Sequence, residues 1–218
     1  MAAGSYALLA PVVDGWTGAV TVTVGATVAT VTPRARTSAL AVLERVVYEA
    51  RRVHGAAFVA YTTAAGEFTV EMPATFAIAA TGTTATKTGL TATQSGADAY
   101  TFPDAVVGGI VPAYGARVRS RTAGRDTGAA LLAGGLGFTR GIQKSAGSLA
   151  LFDTLANSST MADTLAAGGT YDLAVLRTDN ATNITALARL RVAGSSVQRW
   201  TELGSSGRVE CSVLGVSA

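Results

Sequence analysis

The chain has 218 residues, enough for one large domain or two small ones around a real core. Its hydrophobic fraction of 49% and mean hydropathy of +0.35 rest largely on Ala and Val, while charged residues are only 14% against about 25% in ordinary globular domains. The 17 basic and 14 acidic residues leave a net charge of +3 without a clustered basic stripe, so DNA contact finds no support in the charge pattern. A surface this poor in charge suits faces covered by neighbours, or reflects a coding bias toward Ala and Gly. Cys211 is the sole cysteine, so an intrachain disulfide and a multi-thiolate metal site are both excluded. The opening MAAGSYALLAPVVDGW has no basic stretch ahead of its short apolar run, and no apolar segment approaches the roughly 20 residues of a membrane helix. The expectation is a soluble protein with no membrane partner, made in a reducing cytoplasm, in which the Asn157, Asn180 and Asn183 sequons carry no meaning.

In chain order, residues 1–36 read as an N-terminal arm and strand. Val20, Val22 and Val24 alternate with Thr, the pattern of a half-buried strand, and Gly25 either interrupts it or bends it into a hairpin. The segment TSALAVLERVVYEARRVHG predicts a helix over about 37–54. Thr37 or Ser38 serves as N-cap, Leu40, Leu43, Val47 and Ala50 recur at helical spacing, and Gly55 stands at the stop. Arg51, Arg52 and His54 favour the negative end of its dipole. A helix with one apolar face requires something flat to pack on. The alternating runs AAFVAYTT and EFTVEM predict that sheet as a hairpin over 57–72 turning at 64–66 and closed by Pro73, with further strands over 75–81 and 98–102 and around GGIVPAYGARVRSR. The Thr- and Gly-rich stretch 81–96 reads as an extended loop or edge arm.

A helix over an antiparallel sheet makes 37–144 an α+β domain. From about 145 onward LALFDT, GTYDLAVLRT, TALARLRVAG, VQRWTEL and RVECSVLGV follow at about ten-residue spacing, so 145–218 reads as a mainly β part, sandwich or barrel-like. The tail either forms its own domain or completes the earlier sheet. The fold class expected is α+β, β-rich.

No catalytic, cofactor-binding or metal-binding set emerges from the motifs. His54, the sole histidine, reads as a capping or surface residue at the helix end. No nucleophile elbow and no phosphate-binding loop occur, and GGLGFTRG lacks the glycine spacing of a dinucleotide fingerprint. Asp153, Asp163, Asp172 and Asp179 have no calcium-loop spacing; a carboxylate pair for glycoside hydrolysis would need Asp153, Asp172 or Glu202 to share a cleft. Arg117, Arg119 and Arg121 alternate, with Arg125 following, so at period two they fall on one strand face, either solvated or meeting an acidic partner or phosphate. Trp16 and Trp200 read as core or interface anchors, or as sugar-stacking platforms.

Phe138 is a lone bulky residue at the end of TGAALLAGGLGFTRG, next to Leu136, and fits a hydrophobic knob entering a pocket of this chain or the next. Phe68-Thr69-Val70 and Phe76-Ala77-Ile78, followed by Leu136-Gly137-Phe138, resemble strand-forming and L-G-F elements of structural proteins of tailed bacteriophages; the segment around Thr88-Gly89-Leu90 has no Phe to echo them. The resemblance covers about 66–141. It implies a structural, non-enzymatic virion protein that forms or joins a ring in the neck, tail or tail tip and is assembled in the host cytoplasm. Its partners would then be copies of itself and other virion structural proteins. The interface candidates are Phe138, Leu136, Arg117, Arg119, Arg121, Trp16 and Trp200. The other reading is a receptor- or glycan-binding module, an adhesin, carried by the β-rich half.

Overall fold

The computed structural model describes residues 5–57, 59–62, 68–90, 94–102, 109–110, 112–113, 116–125, 128–132, 135–139, 143–177, 185–201 and 204–216. Its elements in chain order are β1 (Ser5–Val13), β2 (Val20–Val24), β3 (Thr27–Val31), β4 (Thr37–Ser38), α1 (Ala39–His54), β5 (Val59–Thr62), β6 (Phe68–Ala80), α2 (Gly82–Thr88) and β7 (Gln94–Phe102). There follow β8 (Ala116–Arg125), β9 (Gly128–Leu132), β10 (Gly135–Thr139), β11 (Gln143–Thr154), α3 (Leu155–Ala166), β12 (Gly169–Arg177), β13 (Thr185–Val192), a 3-10 turn (Gly194–Ser196), β14 (Gln198–Thr201) and β15 (Ser206–Val216). The chain is α+β and β-rich, with antiparallel sheets throughout and a mostly β C-terminal part, as its periodicity predicts.

Two compact units divide it: residues 1–111 with 171–187, and residues 112–170 with 188–218. The expected boundaries at 36 and 144 coincide with none of these crossings.

In the first unit β6 is the central strand of one sheet. Its one edge carries β5 along Phe68–Glu71 and β2 along Ala77–Ala80, and its other edge carries β7; β3 closes the far side of β2. Between the two paired stretches stands Pro73, exposed with Ala74 and Thr75, where the register with β7 shifts from Glu71 to Phe76. The expected end of the strand at Pro73 is therefore corrected: a proline has no N–H to give a ladder, and β6 accommodates it in the irregular stretch that ladder bonds skip. The Val-Thr alternation does resolve into a hairpin, with Gly25 at φ 57 in a two-residue turn between Val24 and Thr27. Val20 and Val22 are buried, and on β3 the inward positions are Ala29 and Val31, leaving Val28 half exposed.

Helix α1 lies on β3 and β2 and buries Ala39, Leu40, Val42, Leu43, Val46, Val47 and Ala50. Together with Val70, Met72, Phe76, Ile78 and Leu90 these form the core of the unit. Each of the larger side chains, Val, Leu, Ile, Met and Phe, contributes about 1.5 to 3 kcal/mol by leaving water. The helix starts at Ser38, whose Oγ accepts from Ala41 N at 3.1 Å, and stops at Gly55, whose φ of 96 disfavours any other residue. Glu49 holds the Arg52 and Arg45 guanidinium groups at 2.7 and 3.2 Å, and the hydrogen bond from Arg52 lowers its carboxyl pKa.

Two N-terminal expectations change. Strand β1 is no arm: it is paired on both sides, to β12 over Ser5–Pro11 and to β4 at Val12 and Val13, and it also exchanges two backbone hydrogen bonds with Ile110, at 2.9 and 2.8 Å. The stretch 81–96 is no extended loop either, since it begins with α2 and continues into β7. Its threonines are hydrogen-bonded into residues 15–19: Thr17 and Thr83 bond each other through backbone and hydroxyl groups, Thr83 Oγ1 donates to Gly15 O at 2.7 Å, and Thr84 Oγ1 to Thr17 O at 2.8 Å. The backbones meet so closely that a Cβ on Gly18 would collide with Thr81 O, and one on Gly82 with Thr17 O. Both glycines also have positive φ, 83 and 60, so no other residue fits this seam.

In the second unit β15 lies between β11 on one edge and β13 and β14 on the other, and β8 pairs the far edge of β11. Along β15 the burial alternates strictly: Val209, Cys211 and Val213 are buried with Leu149 and Leu151 of β11, whereas Ser212 and Leu214 are exposed. Helix α3, which strand-like periodicity did not predict, covers part of the buried face. Ser158 packs against Gly207, where a Cβ would strike the Ser158 side chain, and Met161 and Leu165 are buried beside it.

Candidate interaction surface

Trp16 follows β1 and is half-buried against the first unit's core. Its indole N–H is shared by the carbonyls of Val13 at 3.0 Å and Thr37 at 3.1 Å, and the Lys87 ammonium sits 5.2 Å from the ring centroid while also donating to Asp14 O. An indole whose donor is spent on two carbonyls and whose ring carries a lysine is an anchor for this loop. The same holds for His54: a carbonyl only accepts, so Nε2 carries the proton in its 3.0 Å bond to Val22 O, tying the helix end to β2.

Asp153 and Asp172, two of the carboxylates considered for hydrolysis, are each held by their own neighbours. Asp172, buried on β12, accepts from Ser38 Oγ at 2.5 Å, so the N-cap serine of α1 bonds the helix on one side and β12 on the other. Asp153, buried at the end of β11, accepts from Ala113 N at 3.0 Å, Thr154 N at 2.6 Å and Asn157 Nδ2 at 3.1 Å, pinning residue 113 to the start of α3. Glu202 lies outside the described residues. Among the described residues no three His, Cys, Asp or Glu side chains gather as a metal group. The Cys211 thiol is buried, and burial raises its pKa to about 11.

The arginine run is altered by the sheet itself. Arg117 pairs with Ala150 and Arg121 with Gly147, but the register of β8 slips by one residue between Ser148 and Leu149. That bulge takes up Arg119, and positions 117 and 121 stand opposite residues of β11 on opposite faces. The alternation expected for the three arginines is therefore interrupted in the ladder: period two holds only while the ladder is regular.

Phe138 and Leu136 belong to β10, which pairs with β9 in a separate two-stranded ribbon between β8 and β11. The register sets Phe138 opposite Ala129 and Leu136 opposite Leu131, so these four positions share one face of the ribbon.

Of the two interface candidates whose side chains are described, Trp16 and Trp200, it is Trp200 that is exposed. It lies on β14, all four residues of which are exposed, and is itself 44% exposed. Arg208, directly opposite on β15, places its guanidinium 5.5 Å from the ring centroid, and Arg208 Nε lies 3.6 Å from Glu210 Oε1. Two residues further along the same face, Ser212 is exposed, and Leu214 is 48% exposed beside the exposed Arg191. The outer face of β15 thus carries exposed Trp200 at one end and exposed Leu214 beside Arg191 at the other, with the mostly buried pair Arg208 and Glu210 between them. Sequence reasoning found Trp200 but missed Leu214 and Arg208, because only the pairing of β14 with β15 brings them to one face. The alternation in ECSVLGV was the available signal.

No protein-family model, no curated protein and no solved structure matches this chain.

Proposed function

We propose that the protein is a structural, non-enzymatic assembly component of a phage virion that forms or joins a ring in the neck, tail or tail tip by burying low-charge surface. The observation that carries this reading is the outer face of β15, where Trp200 and Leu214 stand 44% and 48% exposed on one side of the sheet. Large apolar side chains left exposed on a sheet face have a use when another surface covers them. The low charged fraction of 14% and the engagement of Ser38, His54, Asp153 and Asp172 in fold-holding hydrogen bonds point the same way. The virion assignment itself rests on the resemblance of Phe68–Ile78 and Leu136–Phe138 to phage structural proteins.

The test is absolute mass by light scattering after size exclusion, over a wide range of protein concentration, with negative-stain images of the large species. Rings or stacked tubes are the expected result. A monomer at every concentration counts against it and favours the second reading, a receptor- or glycan-binding module, for which the exposed Trp200 ring beside Arg208 is the specific support. In that case Trp200→Ala would abolish retention on a glycan array while leaving the fold intact.

A further inference from the structure

Strand β3 ends the five-stranded sheet of the first unit, and its free edge is unguarded. Among the described residues it pairs with β2 alone, in a ladder that runs without a bulge from Val24 opposite Thr27 to Val20 opposite Val31. The two-residue turn makes Val24 and Thr27 a hydrogen-bonded pair, and such pairs alternate along an antiparallel ladder, so Ala29 and Val31 also turn their backbone groups to β2. Val28 and Thr30 therefore aim N–H and C=O out of the sheet. Both are exposed, and among the described residues no other backbone group bonds them there. Edges left in water are ordinarily protected by a charge, a proline, a bulge or a covering segment. From 27 to 32 the sequence TVATVT holds no charge and no proline, and the register is regular. Helix α1 packs on the face that buries Ala29 and Val31 and leaves Val28 and Thr30 exposed.

Outward donors and acceptors at strand spacing are matched by another extended backbone. We propose that β3 of a second copy adds antiparallel to this edge, across a two-fold axis at Ala29. Symmetry singles out that partner. Val28 and Thr30 flank Ala29 at equal steps, so the rotation sets Val28 opposite Thr30 of the second copy and each outward N–H against an outward C=O. Ala29 meets its own counterpart, and as the smallest side chain of the strand it leaves room at the axis on the face that carries α1. On the outer face the opposed residues are Val and Thr, a β-branched pair suited to cross-strand packing. The two copies of the exposed Arg34, which follows the strand, fall at opposite ends of the seam, so like charges do not meet along it. An isologous contact of this kind closes on itself as a dimer. It adds to the ring contacts of the assembly reading and does not depend on them.

Cross-linking reads the register directly. Val28→Cys in one copy and Thr30→Cys in another would form a hydrogen-bonded pair with Cα atoms about 5.5 Å apart, inside the roughly 4.4 to 6.8 Å that a disulfide spans. Position 28 of one copy lies only diagonal to position 28 of the other, at about 7 to 8 Å. Oxidised glutathione acting on an equimolar mixture of the two variants is therefore expected to give a covalent heterodimer, and little cross-linked product from either variant alone. The native Cys211 is buried and stays out of the reaction. Thr30→Pro is the second arm: at an edge position whose N–H points outward, proline leaves the β2–β3 ladder intact and removes a donor from the seam. Light scattering is expected to show the wild-type dimer lost, with circular dichroism unchanged; if this variant fails to fold, the cross-link decides alone. A mixture that cross-links no better than the single variants overturns the contact, and so does a folded Thr30→Pro protein that keeps the dimer. Large species that persist beside failed cross-linking leave the assembly reading standing without this contact. Cross-linked dimers from a chain that never grows into rings uphold this contact and overturn the ring.

Discussion

Ser38 joins two elements of the first unit through one side chain. One hydroxyl accepts from the first turn of α1 and donates to the buried Asp172 carboxylate on β12, so helix start and strand are set by the same atom. Removing it forfeits a cap, worth about 1 kcal/mol, and takes one hydrogen bond from a buried carboxylate, worth about 1 to 3 kcal/mol. Ser38→Ala is therefore expected to lose about 2 kcal/mol or more in urea unfolding, and a loss within ~0.5 kcal/mol would remove Ser38 from this role. Cys211 yields a pH dependence. Its thiol pKa is raised from 9.0 to about 11 in the folded chain, so the neutral form is the native one. The linked stability is fully present below pH 9 and declines as pH rises from 9 toward 11, where the unfolded chain ionises first. Cys211→Ala should remove that decline. The same burial keeps the native thiol unreactive to iodoacetamide at pH 8, with rapid labelling after denaturation; rapid labelling of the native protein would contradict it.

At the scale of elements, the structure shows where local pattern and tertiary demand part. The α1 reading held because seven buried residues, a serine cap and a terminal glycine all agree. Helix α3 escaped because its buried stripe is narrow, Ser158, Met161 and Leu165 only, in a run of Ser and Thr. The spacing of those three and the Thr154 cap, which accepts from Asn157 N at 3.3 Å, were its only signals. Helix α2 was hidden for a different reason: its threonines read as loop composition, and their partners on residues 15–19 are more than sixty positions away. Strand β14 is held by Arg199, whose guanidinium donates to Ser158 Oγ at 3.1 Å and Leu155 O at 2.9 Å on α3. Arg199→Ala should accelerate hydrogen exchange of the β14 amides while leaving those of β11 and α1 protected. Uniform acceleration across the chain would show instead that Arg199 supports the whole fold.

For the whole molecule, the decisive quantity is how little charge the surface carries. If assembly runs through the low-charge surface of the proposed function, raising the salt from about 0.05 to about 0.5 M leaves the mass of the large species unchanged or increased, because screening has little to weaken there. Dissociation by salt would identify a contact made by charge, with the exposed arginines as its first candidates. The sheet register decides this matter for the arginine run: a single bulge at Arg119 parts positions 117 and 121, and nothing in ARVRSRTAGR announces it. Phe138 was legible as an oddity, and the register then showed what it shares a face with.

By itself the sequence determined the α+β, β-rich class, the position and buried face of α1, the hairpin at Gly25 and most C-terminal strands. These follow from periodicity, caps and turns, which act over a few residues. Only the tertiary structure decided that β1 is an inner strand, that β6 runs through Pro73, that the Thr-rich stretch folds as α2 against residues 15–19, and that Trp200, Arg208 and Leu214 share one open face. Each of these depends on which distant strand or loop supplies the hydrogen-bond partner. Backbone groups must be paired somewhere, but local sequence does not say with whom.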